Sequence, residues 1–161
     1  MLKEAKPTEG HDAREHHFAI VASKYNARFV DSMVEAAAQT LKRANAASVE
    51  VLRVPGAFEI PAVAAALAAG KRKGAIICLG VILRGETTHA QHIGEAVSQA
   101  LAQIQVQHRV PIIHEVLLLE NEAQAEARCI NPKHNRGLEA ALTALEMAGV
   151  MRRLSGAFEQ P

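Results

Sequence analysis

The sequence predicts a three-layer α/β/α protein built on a doubly wound sheet of four parallel strands. Short apolar runs typical of buried strands alternate four times with stretches whose apolar residues recur at helical spacing. The connections between these stretches are only a few residues long, and the helices supply the crossovers that parallel strands require. The length of 161 residues suits one domain with a sizeable core.

The first half of the chain supplies two of the predicted strands. Phe18–Tyr25 is a short apolar run, and an amphipathic helix follows Asn26, a residue type that favours the helix N-cap. Ser48–Val54 is the second strand, which a Pro-Gly pair ends. Pro61 then opens a helix in a position that proline tolerates well. Because this second helix is apolar all round, we expect it to be buried between layers or between subunits.

The second half supplies the other two strands, Gly74–Leu83 and Pro111–Leu119, with a helix of residues 89–108 between them. After the fourth strand, Asn121 can cap a short helix, and a last helix spans about residues 135–153. Strand and helix therefore alternate along the chain with helices free to cover both faces of the sheet. This alternation is typical of a doubly wound, flavodoxin-like arrangement.

The polar side of the third helix is built mainly of glutamines. Uncharged amides tolerate partial desolvation better than charged groups do. We therefore expect this helix to pack against its copies in a homo-oligomer, the alternative being an exposed helix that is rich in glutamine. The glutamines are Gln91, Gln99, Gln103, Gln105 and Gln107.

We expect a single domain at residues 18–154, preceded by a flexible N-terminal arm (1–17) and followed by a C-terminal tail (155–161). The N-terminus lacks the apolar core of a signal peptide, and the longest apolar run, Ala75–Leu83, is about half of a membrane span. The two cysteines are too few for a disulfide framework and are typical of reduced, buried side chains. The sequence thus predicts a cytoplasmic protein without a membrane anchor.

The charge balance argues against a strongly basic surface. Eighteen Lys and Arg residues stand against seventeen Asp and Glu residues, a formal net charge of +1. Proteins that bind nucleic acid or acidic lipid usually carry a basic face. We therefore expect no nucleic-acid partner.

Polar and aromatic residues collect where the predicted strands end. In open parallel sheets, ligands bind at the carboxyl ends of the strands. Only 3% of the residues are aromatic, so Tyr25 and Phe58 at this edge suggest a flat ring stacked there, although each alone could be a core or turn residue. The segments at this edge are Tyr25–Asn26, Gly56–Glu59, Arg84–His89 and Glu120–Asn121.

The segment Arg84–His89 (RGETTH) is suited to hold a phosphate. Its threonines precede a helix, where free backbone N–H groups and the helix dipole attract an anion. The GxxxxGK[ST] pattern is absent, so we do not expect triphosphate chemistry. His89, in the first turn, could transfer protons near neutral pH, the alternative being a surface histidine. Arg128 and Arg136 flank a later turn, and either could reach a phosphate, although isolated arginines are usually solvent-exposed.

A metal site is the weaker interpretation of the same region. His89 and His92 stand three residues apart, with Glu86 and Glu95 three residues on either side. Two histidines and a carboxylate can hold zinc. The spacing lacks the i, i+4 histidines and the general-base glutamate of HExxH, so no metal is predicted.

Four segments carry a resemblance to a known family: VPGAFEIP (54–61), GVILRGETTH (80–89), LENEAQAEAR (119–128) and NRGLEAALTALEMA (135–148). In this order and with consistent spacing, from about Phe18 to Leu154, the chain resembles 6,7-dimethyl-8-ribityllumazine synthases. The resemblance implies a transferase of riboflavin biosynthesis that uses no cofactor. It also implies a pentamer with sites formed between neighbouring subunits.

The resemblance implies a reaction and a role for each site residue. The pyrimidine 5-amino-6-(D-ribitylamino)uracil would condense with 3,4-dihydroxy-2-butanone 4-phosphate, releasing the lumazine, phosphate and water. Tyr25 would stack on the pyrimidine, and the catalytic residues would be His89, for proton transfer, and Arg128, for the phosphate. The other substrate-binding residues would be Asn26, Ala57, Phe58, Glu59, Val81, Ile82, Leu83, Glu86 and Thr87. The alternatives are a carrier that binds a flavin or lumazine without making it, and a shell or scaffold protein.

The sequence departs from the family pattern in four places. Leu118–Leu119 stand where the family has a threonine pair, and Arg136 stands where lysine is usual. His114 stands near the end of the fourth strand, where the family usually supplies an aromatic side chain to the neighbouring subunit's pocket. It could still stack on the uracil. Residues 130–134 replace a glycine-bearing turn of members that build closed shells, so we expect a free pentamer or decamer.

Overall fold

The computed structural model describes residues 12–158. Its four strands form one parallel sheet in the order β2-β1-β3-β4, which confirms the predicted doubly wound arrangement. The chain runs from β1 to the edge strand β2 and then returns to β3 on the other side of β1, so the strand order reverses between β1 and β3. The strands are β1 (His17–Ser23), β2 (Ser48–Val54), β3 (Ala75–Leu83) and β4 (Ile112–Leu119).

Helices cover both faces of this sheet, as predicted. Helices α1 and α5 pack on one face, and α2 and α3 pack on the other. A 3₁₀ turn, Ala57–Glu59, leads into α2, and a π-helical turn, Glu126–Ile130, follows α4. The helices are α1 (Ala27–Arg43), α2 (Ile60–Ala69), α3 (His89–His108), α4 (Glu122–Ala125) and α5 (Arg136–Phe158).

The core consists of two apolar layers that the sheet separates. Central strand β1 is buried along Phe18–Ser23, as expected for a parallel strand covered on both faces. Because side chains alternate along a strand, Ile20 contributes to the layer beneath α1 and α5, whereas Val21 contributes to the layer beneath α2 and α3. The same alternation places neighbouring residues of β4 on opposite sides of the sheet.

Helices α1 and α5 approach each other closely at Gly137. A Cβ atom at this glycine would lie 2.6 Å from the Cα atom of Met33, which is an overlap of atoms. Asn135 fixes the start of α5 here, since its side-chain oxygen accepts a hydrogen bond from the Gly137 N–H at 2.8 Å. The absence of a side chain at position 137 therefore sets the distance between the two helices.

The apolar helix α2 is buried on one side only within the single chain. Ile60, Ala64 and Ala68 are buried, one turn apart, whereas Ala62 and Ala66 are exposed. The prediction that α2 is completely buried between layers of the single chain is therefore wrong. Burial of the outer side between subunits stays a prediction.

The glutamines of α3 divide into two groups. Gln105 is used inside the chain, where its side-chain oxygen accepts a hydrogen bond from the Ile112 N–H at 2.9 Å. Gln99, Gln103 and Gln107 are exposed, and Val106 beside them is 76% exposed. Packing of this surface against copies of α3 stays a prediction.

The chain ends differ from the prediction where they are described. In the predicted flexible arm, Ala13 is buried and its N–H donates to the Ala44 carbonyl at 2.9 Å, and His17 already belongs to β1, so this part of the arm is attached to the domain. The rest of that predicted arm, residues 1–11, lies outside the described residues. Helix α5 continues to Phe158, so residues 155–158 of the predicted tail are helical, and no proline lies within the helix. No helix within residues 12–158 combines the length and the hydropathy of a membrane span.

Candidate active site

A cavity of about 930 Å³ opens at the carboxyl ends of β1 and β3. It lies between the 3₁₀ turn before α2 and the first turns of α3. The strand-end rule therefore located the site, and most of the predicted substrate-binding residues meet here. The lining residues are Tyr25, Asn26, Gly56, Ala57, Phe58, Glu59, Val81, Ile82, Leu83, His89, His92, Ile93 and Ala96.

Two aromatic rings stand at the mouth of this cavity. Tyr25 is 68% exposed and Phe58 is 61% exposed. Leaving rings of this size in water forgoes the free energy that burial of their apolar faces would give. A flat ligand placed against them would recover that free energy, as the sequence suggested.

Asn26 joins two walls of the cavity. Its backbone is left-handed, with a φ of 56°, which asparagine tolerates better than most residues. The predicted role of its side chain as a helix cap is wrong, because the amide instead donates to the Val81 carbonyl at 2.7 Å. Asn26 therefore ties the start of α1 to the end of β3, directly after Tyr25.

Glu59 closes the turn on the other wall. The Gly56 N–H donates to one carboxylate oxygen of Glu59 at 2.8 Å. A Cβ atom at position 56 would lie 2.9 Å from that oxygen and 3.0 Å from the Tyr25 ring. Glycine is therefore required for this contact. The other carboxylate oxygen makes no hydrogen bond within residues 12–158 and can accept one from a ligand hydroxyl.

The predicted phosphate-binding segment is an exposed connection between β3 and α3. Glu86 and Thr87 lie in this connection, immediately before His89, but outside the lining of the cavity. Arg84, at its start, pairs with Glu120 at 2.8 Å. The connection thus stands at the N-terminus of a 20-residue helix, where the backbone dipole favours an anion.

The first two turns of α3 bring two histidines to the cavity. His89 and His92 both line it, and both are exposed. The sequence prediction weighed His92 only as a metal ligand and missed its place in this wall. The helical period was the available signal, since residues three, four and seven positions after His89 share its face, namely His92, Ile93 and Ala96. Within residues 12–158, no group of three or more His, Cys, Asp or Glu side chains is placed to hold a metal ion.

Besides Glu86 and Thr87, two more predicted site residues lie outside the lining of this cavity in a single chain. Arg128 lines a separate cavity of about 440 Å³ beside the carboxyl end of β4. His114 is the third residue of β4, so its predicted place near the end of that strand is wrong. Its ring contacts α3, where Nε2 lies 2.8 Å from the Ser98 hydroxyl.

Glu115, on the opposite side of β4 from His114, is an electrostatic feature that the sequence prediction missed. The pKa of its carboxyl is raised to about 7, mainly by burial and to a lesser extent by the Glu139 carboxylate. The guanidinium groups of Arg136 and Arg128 oppose this effect. A carboxyl group half-buried near two arginines therefore lies on the α5 side of the sheet.

The four-stranded parallel sheet defines a flavodoxin-like α/β protein, and the cavity at its carboxyl edge is the candidate ligand-binding site. Residues 15–152 match the profile of the 6,7-dimethyl-8-ribityllumazine synthase family. The chain belongs to this family, a family of transferases. The predicted family and the predicted class of enzyme are thereby confirmed.

Individual relatives carry the same name. The 6,7-dimethyl-8-ribityllumazine synthase of Stenotrophomonas maltophilia (strain R551-3) is 42% identical over 139 residues, which cover 85% of this chain and 90% of the relative. The protein of that name from Xanthomonas oryzae pv. oryzae (strain PXO99A) is 41% identical over the same shares. The one from Xanthomonas campestris pv. campestris (strain B100) is 40% identical, again over 85% and 90%.

Proposed function

We propose that this protein condenses 5-amino-6-(D-ribitylamino)uracil with 3,4-dihydroxy-2-butanone 4-phosphate to 6,7-dimethyl-8-ribityllumazine in riboflavin biosynthesis. The observation that carries this proposal is the convergence of Tyr25, Phe58, Glu59 and His89 on one cavity. The rings suit the flat pyrimidine, the carboxylate suits the hydroxyls of the ribityl chain, and the imidazole suits proton transfer.

The proposed chemistry needs positioning more than an enzyme nucleophile. The 5-amino nitrogen of the pyrimidine attacks the ketone carbon and, with loss of water, forms an imine between the two substrates. Phosphate then leaves, and the ribitylamino nitrogen attacks the carbonyl that results, closing the ring with loss of a second water. Holding two reactants together removes much of the barrier. His89 would move protons between the nitrogen and oxygen atoms in these steps.

The phosphate would lie at the N-terminus of α3. Backbone N–H groups of Glu86 and Thr87 would donate to it, next to His89. Arg128 would balance its charge, but this arginine lines a different cavity in the single chain. A pentamer with sites between neighbours would place Arg128 and His114 of one subunit beside the cavity of the next.

The exposed side of α3 supports such an assembly. Gln99, Gln103 and Val106 present amides and an apolar side chain to the surface, so burying them costs less than burying charges. We propose a homo-oligomer based on pentamers, either free or paired as decamers. Mass photometry tests this, because a particle near sixty subunits would contradict it.

The proposed location is the cytoplasm. Cys78 and Cys129 are both buried free thiols. Burial raises the pKa of Cys78 to about 12 and that of Cys129 to about 11, so both stay protonated and weakly reactive. Such thiols suit a reducing compartment.

The deciding experiment mixes the purified protein with both substrates and follows lumazine absorbance above the spontaneous reaction. We expect acceleration that falls sharply in a His89→Ala, Arg128→Ala double variant. His108→Ala, at the far end of α3, serves as the control and should retain the rate. Absence of acceleration together with tight binding of lumazine or riboflavin would favour the carrier alternative.

A further inference from the structure

The hydrogen bonds of His114 fix its ring in one protonation state. The Val116 N–H donates to Nδ1 at 3.0 Å, so Nδ1 carries no proton. The Ser98 hydroxyl donates its only proton to the Gly94 carbonyl at 2.7 Å. The Nε2 atom of His114, 2.8 Å from the Ser98 oxygen, must therefore donate to it. The ring is neutral, with its proton on Nε2.

This ring joins the edge strand β4 to the middle of α3. Gly94 and Ser98 of the helix and Val116 of the strand line a groove of about 610 Å³ between the two elements. The same helix carries His89 and His92 to the active-site cavity, two to three turns earlier. The His114 ring is thus a polar tie between the strand and the helix that presents these histidines, and it lies nearer to them along α3 than the bond from the Ile112 N–H to Gln105.

The surroundings of the ring favour its neutral state. Burial lowers the pKa of His114, and no charged neighbour counters this effect. Acidification would place a proton on Nδ1 and break the bond from Val116. Three titratable or charged groups lie on the elements around this side of the ring. Cys78 is its register partner on β3, and Glu95 and Arg84 line the same groove.

We propose that His114 is a positioning residue: as a neutral imidazole protonated on Nε2, it fastens β4 to α3 and so holds His89 in place at the cavity. The effect on activity rests on the proposed function, whereas the tie itself does not.

Ser98 offers the cleanest test, because changing it leaves the His114 ring intact. Ser98→Ala removes the acceptor for Nε2, and Ser98→Thr restores the hydroxyl. Ser155→Ala is a matched control. The Ser155 hydroxyl donates to the Met151 carbonyl at 3.1 Å, four residues earlier on α5, just as that of Ser98 does on α3, but it contacts no histidine within residues 12–158.

The first readout is the side-chain ¹⁵N spectrum of the histidines in the full-length protein, with His114 assigned by its loss in His114→Phe. We expect the Nε2–H tautomer alone, titrating below the ordinary histidine value of about 6.5. In Ser98→Ala the second tautomer should appear, and the midpoint should not rise, because the lost acceptor stabilises the charged ring more than the neutral one. Ser98→Thr should keep the wild-type signals. An Nδ1–H ring, or a mixture of tautomers in the wild type, would overturn the tie.

The second readout is the pH profile of kcat/KM for lumazine formation. Ser98→Ala should lower kcat/KM about three- to tenfold at neutral pH and alter the acid limb of the profile, with rescue in Ser98→Thr and no change in Ser155→Ala. An unchanged pH profile in Ser98→Ala would mean that His114 joins β4 to α3 without affecting His89, which would overturn its positioning role. A wild-type protein without synthase activity would instead overturn the proposed function, and the ¹⁵N spectrum would still decide whether the tie exists.

Discussion

The Gly56 N–H donates to the Glu59 carboxylate at 2.8 Å, and the Tyr25 ring packs against the bare Cα of the same glycine. Because Gly56 has no side chain, both the Glu59 carboxylate and the Tyr25 ring can contact it. The two groups proposed to hold the ribityl chain and the pyrimidine share this one support.

Gly56→Ala should weaken substrate binding. The added methyl group would lie 2.9 Å from the Glu59 oxygen and 3.0 Å from the Tyr25 ring, so one of them must move. We expect the KM for the pyrimidine to rise about tenfold, which corresponds to about 1.4 kcal/mol. Gly156→Ala, at a site with open space, is the control. Equal KM values in both variants would contradict the role of Gly56.

His89→Ala should slow turnover without abolishing it. Proton transfer by a positioned histidine contributes about 10²–10⁴-fold, and binding the two substrates together supplies the remaining acceleration. Steady-state kinetics against the spontaneous reaction measure this loss, with His108→Ala as the control on the same helix. A rate equal to that of the wild type would remove His89 from the mechanism.

Asn26 should resist replacement by aspartate more than replacement by glycine. Glycine keeps the left-handed backbone and loses the hydrogen bond to Val81, at a cost of about 1 kcal/mol. Aspartate would face the Val81 carbonyl with a second acceptor, which we expect to cost about 2–3 kcal/mol. Urea unfolding compares both variants with the wild type. Equal stabilities of the two variants would contradict the repulsion from Val81, and a glycine variant as stable as the wild type would mean that the hydrogen bond contributes nothing.

Gly137→Ala should prevent close packing of α1 on α5. Its Cβ would overlap the backbone of Met33, which cannot rotate away as a flexible side chain would. We expect a loss of about 3 kcal/mol or more in the free energy of unfolding. Gly149→Ala, in the same helix, meets only the flexible end of Arg153 at 3.7 Å and should gain up to about 1 kcal/mol. Similar effects of both changes would contradict the packing argument.

Glu115 should make the protein less stable as the pH rises. The pKa of this carboxyl is about 7 in the folded chain, above its ordinary value of 4.5, so folding favours the protonated form. Stability is therefore greatest at acid pH and is lost as the pH rises through about 7. Glu115→Gln should raise the free energy of unfolding by about 2 kcal/mol at alkaline pH and by less at acid pH. Denaturant titrations at both pH values, with exposed Glu146→Gln as the control, measure the difference.

The sequence was sufficient for the sheet and for most of the cavity. Turn-forming residues such as the Pro-Gly pair after β2 mark the ends of the strands in the sequence. Because the strands are parallel, their carboxyl ends bring Tyr25, Phe58 and His89 to one edge of the sheet. The periodicity of a sequence does not show which hydrogen-bond partner a polar side chain has in the folded protein. Asn26 therefore looked like a cap although it bonds to Val81, and the environment of Glu115 depends on helices that are distant in sequence.

The same limit applies to Arg128. The motif that contains Arg128 indicates the family, but it does not give the distance between this arginine and the other site residues. In the single chain this arginine lies beside β4, away from the cavity of His89. In the proposed pentamer a second chain would bring the two together, and the sequence of one subunit does not give that arrangement.

The position of Tyr25 has a spectroscopic consequence. The chain contains no tryptophan and one tyrosine, and that ring stands 68% exposed at the mouth of the cavity. The ultraviolet emission of the protein therefore originates at its ligand-binding site and almost nowhere else. Any pyrimidine or lumazine that stacks on the ring should quench this emission, so the unlabelled wild-type protein carries its own reporter of occupancy.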